Sequence, residues 1–379
     1  MLSYFAAVAV QAVVAPPAPP APPPVVVVPG SSSLYGPHLV DFIAGEVRCG
    51  ERAVAPLTTI SPFTEVASIG ANPPRAVEMR FTIDQDGRPT GIVQQAVTGA
   101  PYAFVPVGDL APALSLWRFA AGRAGTQCSL VFTPRTQPFD RADATDLYRV
   151  AALRTAVDSG SVWPTLLARV RKLNCDGARP PQILLRAFPD KKSLPREPGV
   201  RAYSVVGFDI DAEGVPTRLA IRTSSGNGAL DAAALDAARR TRFAGANPRT
   251  GCTLPSVLGA TEPVAAPVSP GTETFRMDDA TCPDTVKWTR PPRLTYPRPF
   301  SRRAIEGWAI IGFDLAPWGA TGNVKVLASE PAEQFGATAR HIVAAAQAEG
   351  SPGGARGCVT KVVFRMPDAN DDERESDDS

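Results

Sequence analysis

The stretch "VVGFDIDAEGVPTRLAIRTSSGNGALD", residues 205–231, decides the fold. Val206, Phe208 and Ile210 alternate with Gly207, Asp209 and Asp211, giving a strand with one apolar and one wet face. Glu213-Gly214 supplies a turn, because glycine admits positive φ. Leu219 and Ile221 alternate with Arg218, Ala220 and Arg222 in a returning strand. The hairpin ends at Ser224–Gly228. A helix follows over about 229–241, capped by Asn227 or Ser225. Leu230, Ala234, Ala237 and Thr241 line its inner face. A third strand starts near Cys252.

Two weaker versions flank this stretch. Phe81, Phe208 and Phe313 each precede a glycine by six residues: Gly87, Gly214 and Gly319. The six cysteines fall into pairs 79, 77 and 76 residues apart, and the second of each pair follows "GTQ", "RTG" or "ARG". Equal intervals in similar contexts imply three copies of one unit. Of the 15 pairings six cysteines allow, the repeat selects Cys49–Cys128, Cys175–Cys252 and Cys282–Cys358. Closing a loop of that length stabilises by roughly 4–5 kcal/mol in the chain-entropy picture. In the third copy Phe335, Ala339, Ile342 and Ala346 form the helix face. In the first, two prolines shorten the helix, which starts near Asp109. Residues 141–157 and 162–173 read as connecting helices, and 296–307 holds a short helix.

The expected fold class is therefore α+β, as three tandem small units, each a short antiparallel sheet with helices packed on one face. The expected division is a signal peptide at 1–15, a Pro-rich linker at 16–34, and unit one at 35–137. Unit two, with its connecting helices, spans 138–261. A linker at 262–279, unit three at 280–367 and an acidic disordered tail at 368–379 follow. The 379 residues suit two or three domains. Their 40 prolines are about twice the usual share. Met1–Ala15 is apolar and would span about 22 Å as a helix, short of the roughly 30 Å hydrocarbon core. A signal peptide cleaved near Ala12 or Ala15 fits better than a stable membrane span. The net charge is +2, and the tail carries seven acids against one arginine. No basic block interleaved with aromatics points to nucleic acid.

Catalytic and metal readings are weak. Asp209, Asp211 and Glu213 imitate the start of a calcium loop, but its twelfth position is Ala220 where a bidentate Glu is needed. Ser224 and Ser225 lack a local base, since the two histidines are His38 and His341. "SPGGARG", 351–357, follows a helix and lacks the Lys-Ser/Thr of a phosphate loop. Trp308 and Trp318 read as packing residues beside the third hairpin. No enzyme activity and no cofactor are expected.

The residues 207–243 resemble the TonB C-terminal domain family: an alternating strand, the turn Gly214, a strand ending Ser224-Ser225-Gly226, a Leu-Asp-x-Ala-Ala helix and an aromatic. The third copy is similar at its start, with Tyr296-Pro297 followed by a basic helix. The first copy matches only through its hairpin and "LWRF". The resemblance implies a non-enzymatic, periplasmic interaction module, linked to TonB-dependent outer-membrane transport. It implies capture of an extended partner segment on the free edge of the last strand, by β-augmentation. By position the edges are Cys128–Pro134, Cys252–Val257 and Cys358–Phe364. The third edge, with Val359, Lys361, Val362, Val363 and Phe364, is the candidate partner site. Pro255 removes a donor from the second edge. The implied partners are envelope proteins, including TonB-dependent outer-membrane receptors; the oligomeric state stays open. Two alternatives remain: an envelope scaffold that binds peptidoglycan or itself, and a membrane-anchored energy transducer if the N-terminus is not cleaved. The arm "CPDTVKWT", with Val286 and Trp288 alternating, is expected to cover the third edge.

Overall fold

The computed structural model describes residues 36–95, 102–122, 125–153, 162–176, 179–245, 247–259 and 262–366. The expected signal peptide, Pro-rich linker and acidic tail lie outside them. The fold is α+β, with six α-helices and several small antiparallel sheets among the described residues. None of these helices is long and apolar enough to cross a membrane.

The alternation at 203–224 does what its pattern requires. A central strand Tyr203–Ile210 lies between a return strand Pro216–Ser224 and a last strand Arg249–Val257. Val206, Phe208 and Ile210 pack on Ala234 and Ala238 of the helix Gly228–Arg240. Asn227 caps that helix, accepting from the Leu230 N–H. Phe208 stacks on Phe243, with ring centroids 5.6 Å apart. The opposite face is covered too: Tyr203 and Val205 pack on Tyr148, Ala152 and Leu153 of the connecting helix Ala144–Leu153. The expectation of helices on one face therefore fails for this sheet. The strand alternates Val205 with Val206, so both faces need a cover.

Two other hairpins have the same local construction: Val77–Ile83 with Pro89–Gln94, and Gly307–Leu315 with Thr321–Glu330. Their turn glycines, Gly87, Gly214 and Gly319, have φ of 78°, 79° and 84°. Each glycine carbonyl accepts an N–H from the segment just before the last strand: Phe119 at 2.8 Å, Phe243 at 3.0 Å and Ala348 at 2.8 Å. A Cβ at these glycines would lie 2.1, 2.1 and 2.0 Å from the carbonyl oxygens of those same residues. Glycine is thus needed twice over, for its φ and for the close approach. Four residues on, Gly91, Arg218 and Asn323 all have positive φ and sit at bulges in the return strands.

The Trp288–Arg290 arm does not lie along the third last strand, Ala355–Phe364. It pairs with Gln347–Ala348, as Ile183–Leu185 pairs with Arg242–Phe243 and Thr58 bridges Arg118. Trp288 instead packs its ring on Phe313, 5.8 Å between centroids. The side-chain alternation at Val286 and Trp288 specified a strand but not its neighbour.

The first and third hairpins share one core, from Phe81, Trp117 and Phe132 to Phe300, Phe335 and Phe364. Their seam is polar at its edge. Ile92 N–H donates to Pro331 O at 3.0 Å, Gly91 N–H to Glu330 Oε2 at 2.7 Å, and Gln94 N–H to Glu333 Oε1 at 2.8 Å. The segment 262–279 is not a free linker. Val264 is hydrogen-bonded to Ala304 and Glu306, and Trp308 Nε1 donates to Pro267 O at 2.8 Å. Trp308 is buried, whereas Trp318 is exposed.

Candidate partner-binding edges

An unpaired strand edge offers backbone donors and acceptors to another chain, so the three last strands are compared by what lies along their outer sides. The first, Gln127–Pro138, is closed. Gly36–Ala44 pairs with it from Phe132 to Pro138, and Arg48–Cys49 pairs with Cys128 and Ser129. Gly45 N–H donates to Val131 O in the gap between them. The Cys49–Cys128 disulfide joins residues directly opposite one another in this pairing.

The second edge is closed at its start by the arm around Cys175. Cys175 N–H donates to Gly251 O and Asp176 N–H to Thr250 O, at 3.1 and 2.9 Å. Asp176 Oδ1 accepts the Thr250 N–H and Asn174 Oδ1 the Thr253 N–H, at 2.7 and 2.6 Å. The Thr250 backbone and hydroxyl donors hold the Asp176 carboxyl below its ordinary pKa. Beyond this lies Pro255, which has no N–H to offer. A cavity of about 660 Å³, bordered by Trp163, Leu167 and Val170, opens beside Thr253 and Pro255. From Leu254 to Val257 no backbone group among the described residues bonds to the outer side, and Pro255 interrupts that run.

The third edge is different. Thr281 N–H donates to Arg356 O at 3.1 Å, and Arg356 N–H donates to Thr281 Oγ1 at 2.9 Å. From Gly357 to Phe364, no backbone group among the described residues bonds to the outer side. The inner side is fully laddered to Gly307–Leu315. The Cys282–Cys358 disulfide anchors the arm at the start of this open run. Asp314 steadies the same end: its carboxyl accepts from Asn323 Nδ2 and from Gly357 N–H, and these bonds lower its pKa.

The five edge residues singled out by sequence divide by face. Phe364 is fully buried, in edge contact with Phe335 and Tyr296, and is a core residue rather than a partner contact. Val362 is half-buried against the same core. Val359, Lys361 and Val363 point to the other face. There Lys361 Nζ reaches Ser269 Oγ at 3.0 Å, and Val363 is 38% exposed. Val359 borders a groove of about 360 Å³ with Phe275, Met277, Gly312 and Leu327. The groove is mixed, since Asp314, Asn323 and Lys325 line its other side, and an edge with such an adjoining groove can bond a strand's backbone and seat one of its side chains.

The motif residues have structural partners. Ser225 Oγ accepts the Tyr203 N–H and donates to Tyr203 O. Ser224 Oγ donates to Asp231 Oδ2 and accepts the Gly226 N–H. Asp211 Oδ1 accepts the N–H groups of Glu213 and Val215, shaping the turn. Asp209 Oδ1 accepts the Gly251 N–H at 2.8 Å, and its other oxygen pairs with Arg218. Tyr296 Oη donates to Ile305 O at 2.7 Å, and burial pushes its pKa up. Pro297 precedes the short helix Arg298–Ser301. His38 is buried with Nδ1 2.8 Å from Gly36 O, and His341 is exposed on the third helix. Neither histidine bonds to Ser224 or Ser225. Sequence reasoning missed Asn174, Asp176 and Thr281. Each is next to a cysteine, which was the available signal.

The family model for the Gram-negative bacterial TonB protein C-terminal matches residues 195–251. The match covers the second hairpin and its helix and stops one residue before Cys252. That family is a non-enzymatic interaction domain of the Gram-negative envelope. No curated protein matches the chain.

Proposed function

We propose that the chain is an exported, non-enzymatic interaction protein of the Gram-negative envelope, in which Gly357–Phe364 captures an extended segment of a partner. One observation carries the reading: among the described residues this run has an unbroken open outer edge, while the first last strand is closed by neighbouring strands and the second is closed at its start by a cysteine arm and interrupted by Pro255. The partner's backbone would extend the sheet and the groove beside Val359 would seat one of its side chains. The three hairpins are three copies of one unit, supported by the recurring turn glycine and its carbonyl contact. On this reading two copies serve as framework and the third works. TonB-dependent outer-membrane receptors are the partner class supported by the family match at 195–251. Three disulfides are in keeping with a periplasmic location.

In-cell crosslinking from a photoreactive residue at Val363 tests this. An adduct with an outer-membrane receptor is expected. Adjacent residues of a strand point their N–H groups to opposite sides. Of Lys361→Pro and Val362→Pro, the one that removes the outward donor should abolish the adduct and leave the fold intact. Adducts with cytoplasmic proteins alone, or an adduct that survives both prolines, would overturn the proposal.

A further inference from the structure

The open strand is basic and the segment that follows it is acidic. Between Ala355 and Met366 lie Arg356, Lys361 and Arg365 and no acid, and all three cations are exposed. Two carboxylates touch this strand's ends: Asp314 takes the Gly357 N–H and also faces the charge of Arg356, and Glu306 takes the Met366 N–H. Immediately beyond Met366 come Pro367, Asp368 and Asn370, residues that favour a tight turn. Then follows "DDERESDDS", 371–379. A chain that reverses at a turn returns antiparallel beside the strand it has left. The inner side of that strand is occupied by Gly307–Leu315, so only the outer side is free. At roughly 3.3 Å per residue, 371–379 can run the length of Gly357–Phe364.

We propose that the acidic segment 368–379 folds back along the open edge of Gly357–Phe364 as a reversible intramolecular occupant, which rests on the reading of that edge as a peptide-binding surface. Charge attraction to Arg356, Lys361 and Arg365 selects the segment. Asp and Glu have poor strand propensity, so the intrinsic affinity is low. A short tether gives a millimolar effective concentration, enough for a weak occupant. A partner with better strand residues displaces it. The edge is thereby shielded from indiscriminate edge-to-edge pairing until such a partner arrives.

Amide hydrogen exchange over 355–366 tests this, comparing the full chain with one ending at Pro367. At about 10 mM salt, where the Debye length is about 30 Å, the full chain should exchange about tenfold more slowly there. At about 1 M salt, with a Debye length of about 3 Å, the difference should vanish. A synthetic peptide of residues 366–379, at millimolar concentration, should restore protection to the shortened chain. Lys361→Glu with Arg365→Glu should abolish that protection. Equal exchange in the two chains at low salt overturns the proposal, as does tail-dependent protection that appears elsewhere in the chain and not over 355–366. A neutral Thr/Val peptide of equal length is the second probe. Protection by it but not by the tail rejects only the tail; protection by neither rejects edge capture as well.

Discussion

Arg303 and Asp109, 194 residues apart, form a buried ion pair where all three hairpin regions meet. The guanidinium donates from Nε at 2.7 Å to Asp109 Oδ1 and from Nη2 to Oδ2. Its remaining donors reach Ser61 O and Gly199 O at 3.1 and 3.3 Å. It also lies over the Phe63 ring, 3.9 Å from the centroid. Asp109 precedes the short helix Leu110–Ser115 but does not cap it. Its Oδ2 accepts the Phe63 N–H instead. Each partner is almost wholly buried, and each satisfies backbone groups the other does not.

Removing one member of such a pair leaves a bare buried charge. Arg303→Ala should cost about 3–5 kcal/mol in urea unfolding. Arg303→Met with Asp109→Leu should recover a good part of that loss. A loss below about 1 kcal/mol for Arg303→Ala would show that the junction does not hold the regions together.

Gly214→Ala and Gly226→Ala separate strain from collision. Both glycines have φ near +80° to +90°, at 79° and 87°. A Cβ on Gly226 meets nothing within 4 Å, while one on Gly214 meets Phe243 O at 2.1 Å. Gly226→Ala should cost about 1–2 kcal/mol from backbone strain alone. Gly214→Ala should cost about 3 kcal/mol or more, because the Phe243 hydrogen bond must also move. Thermal unfolding of the two variants gives the comparison.

Burial at the seam between the first and third hairpins raises the Glu330 carboxyl above its ordinary pKa of 4.5, against the pull of the Gly91 N–H, and Asp84 adds a little. A carboxyl raised on folding contributes stability below its unfolded pKa and loses it as pH rises through the folded value. Glu330→Gln keeps an acceptor for Gly91 without the charge. Its melting temperature should match the native chain at about pH 4, below the unfolded pKa, and exceed it at neutral pH. Parallel pH–melting curves for the two chains would contradict this.

Replacing Cys175 and Cys252 together by serine should release the arm that closes the start of the second edge. Stability should fall by about 2–5 kcal/mol. Thr250 and Thr253 amides, now bound by Asp176 and Asn174, should exchange faster. Unchanged exchange would mean that the polar arm holds its place without the disulfide.

Much of the local architecture is legible residue by residue. Phe208 and Ile210 alternate with Asp209 and Asp211, and those four positions define a hairpin strand whatever surrounds them. Leu230, Ala234, Ala237 and Thr241 mark the helix face, and all four are buried. The candidate edge residues were legible as a strand, but not by face. Phe364 and Lys361 look equally available in a sequence, and only packing puts one in the core and the other beside Ser269.

The sequence by itself determined the hairpins, the turn glycines, the helix faces and the intervals between cysteines. Each depends on a period of two or 3.6 residues, or on a backbone that only glycine tolerates. Tertiary structure alone decided which last strand keeps the longest unbroken open edge among the described residues. Strand pairing is made by backbone groups that every residue carries, so Trp288–Arg290 could read as a strand without naming Gln347–Ala348 as its neighbour. The partnership of Arg303 with Asp109 was equally invisible. An ion pair across 194 residues leaves no local period, and it exists because the fold brings two charges into the same dry space.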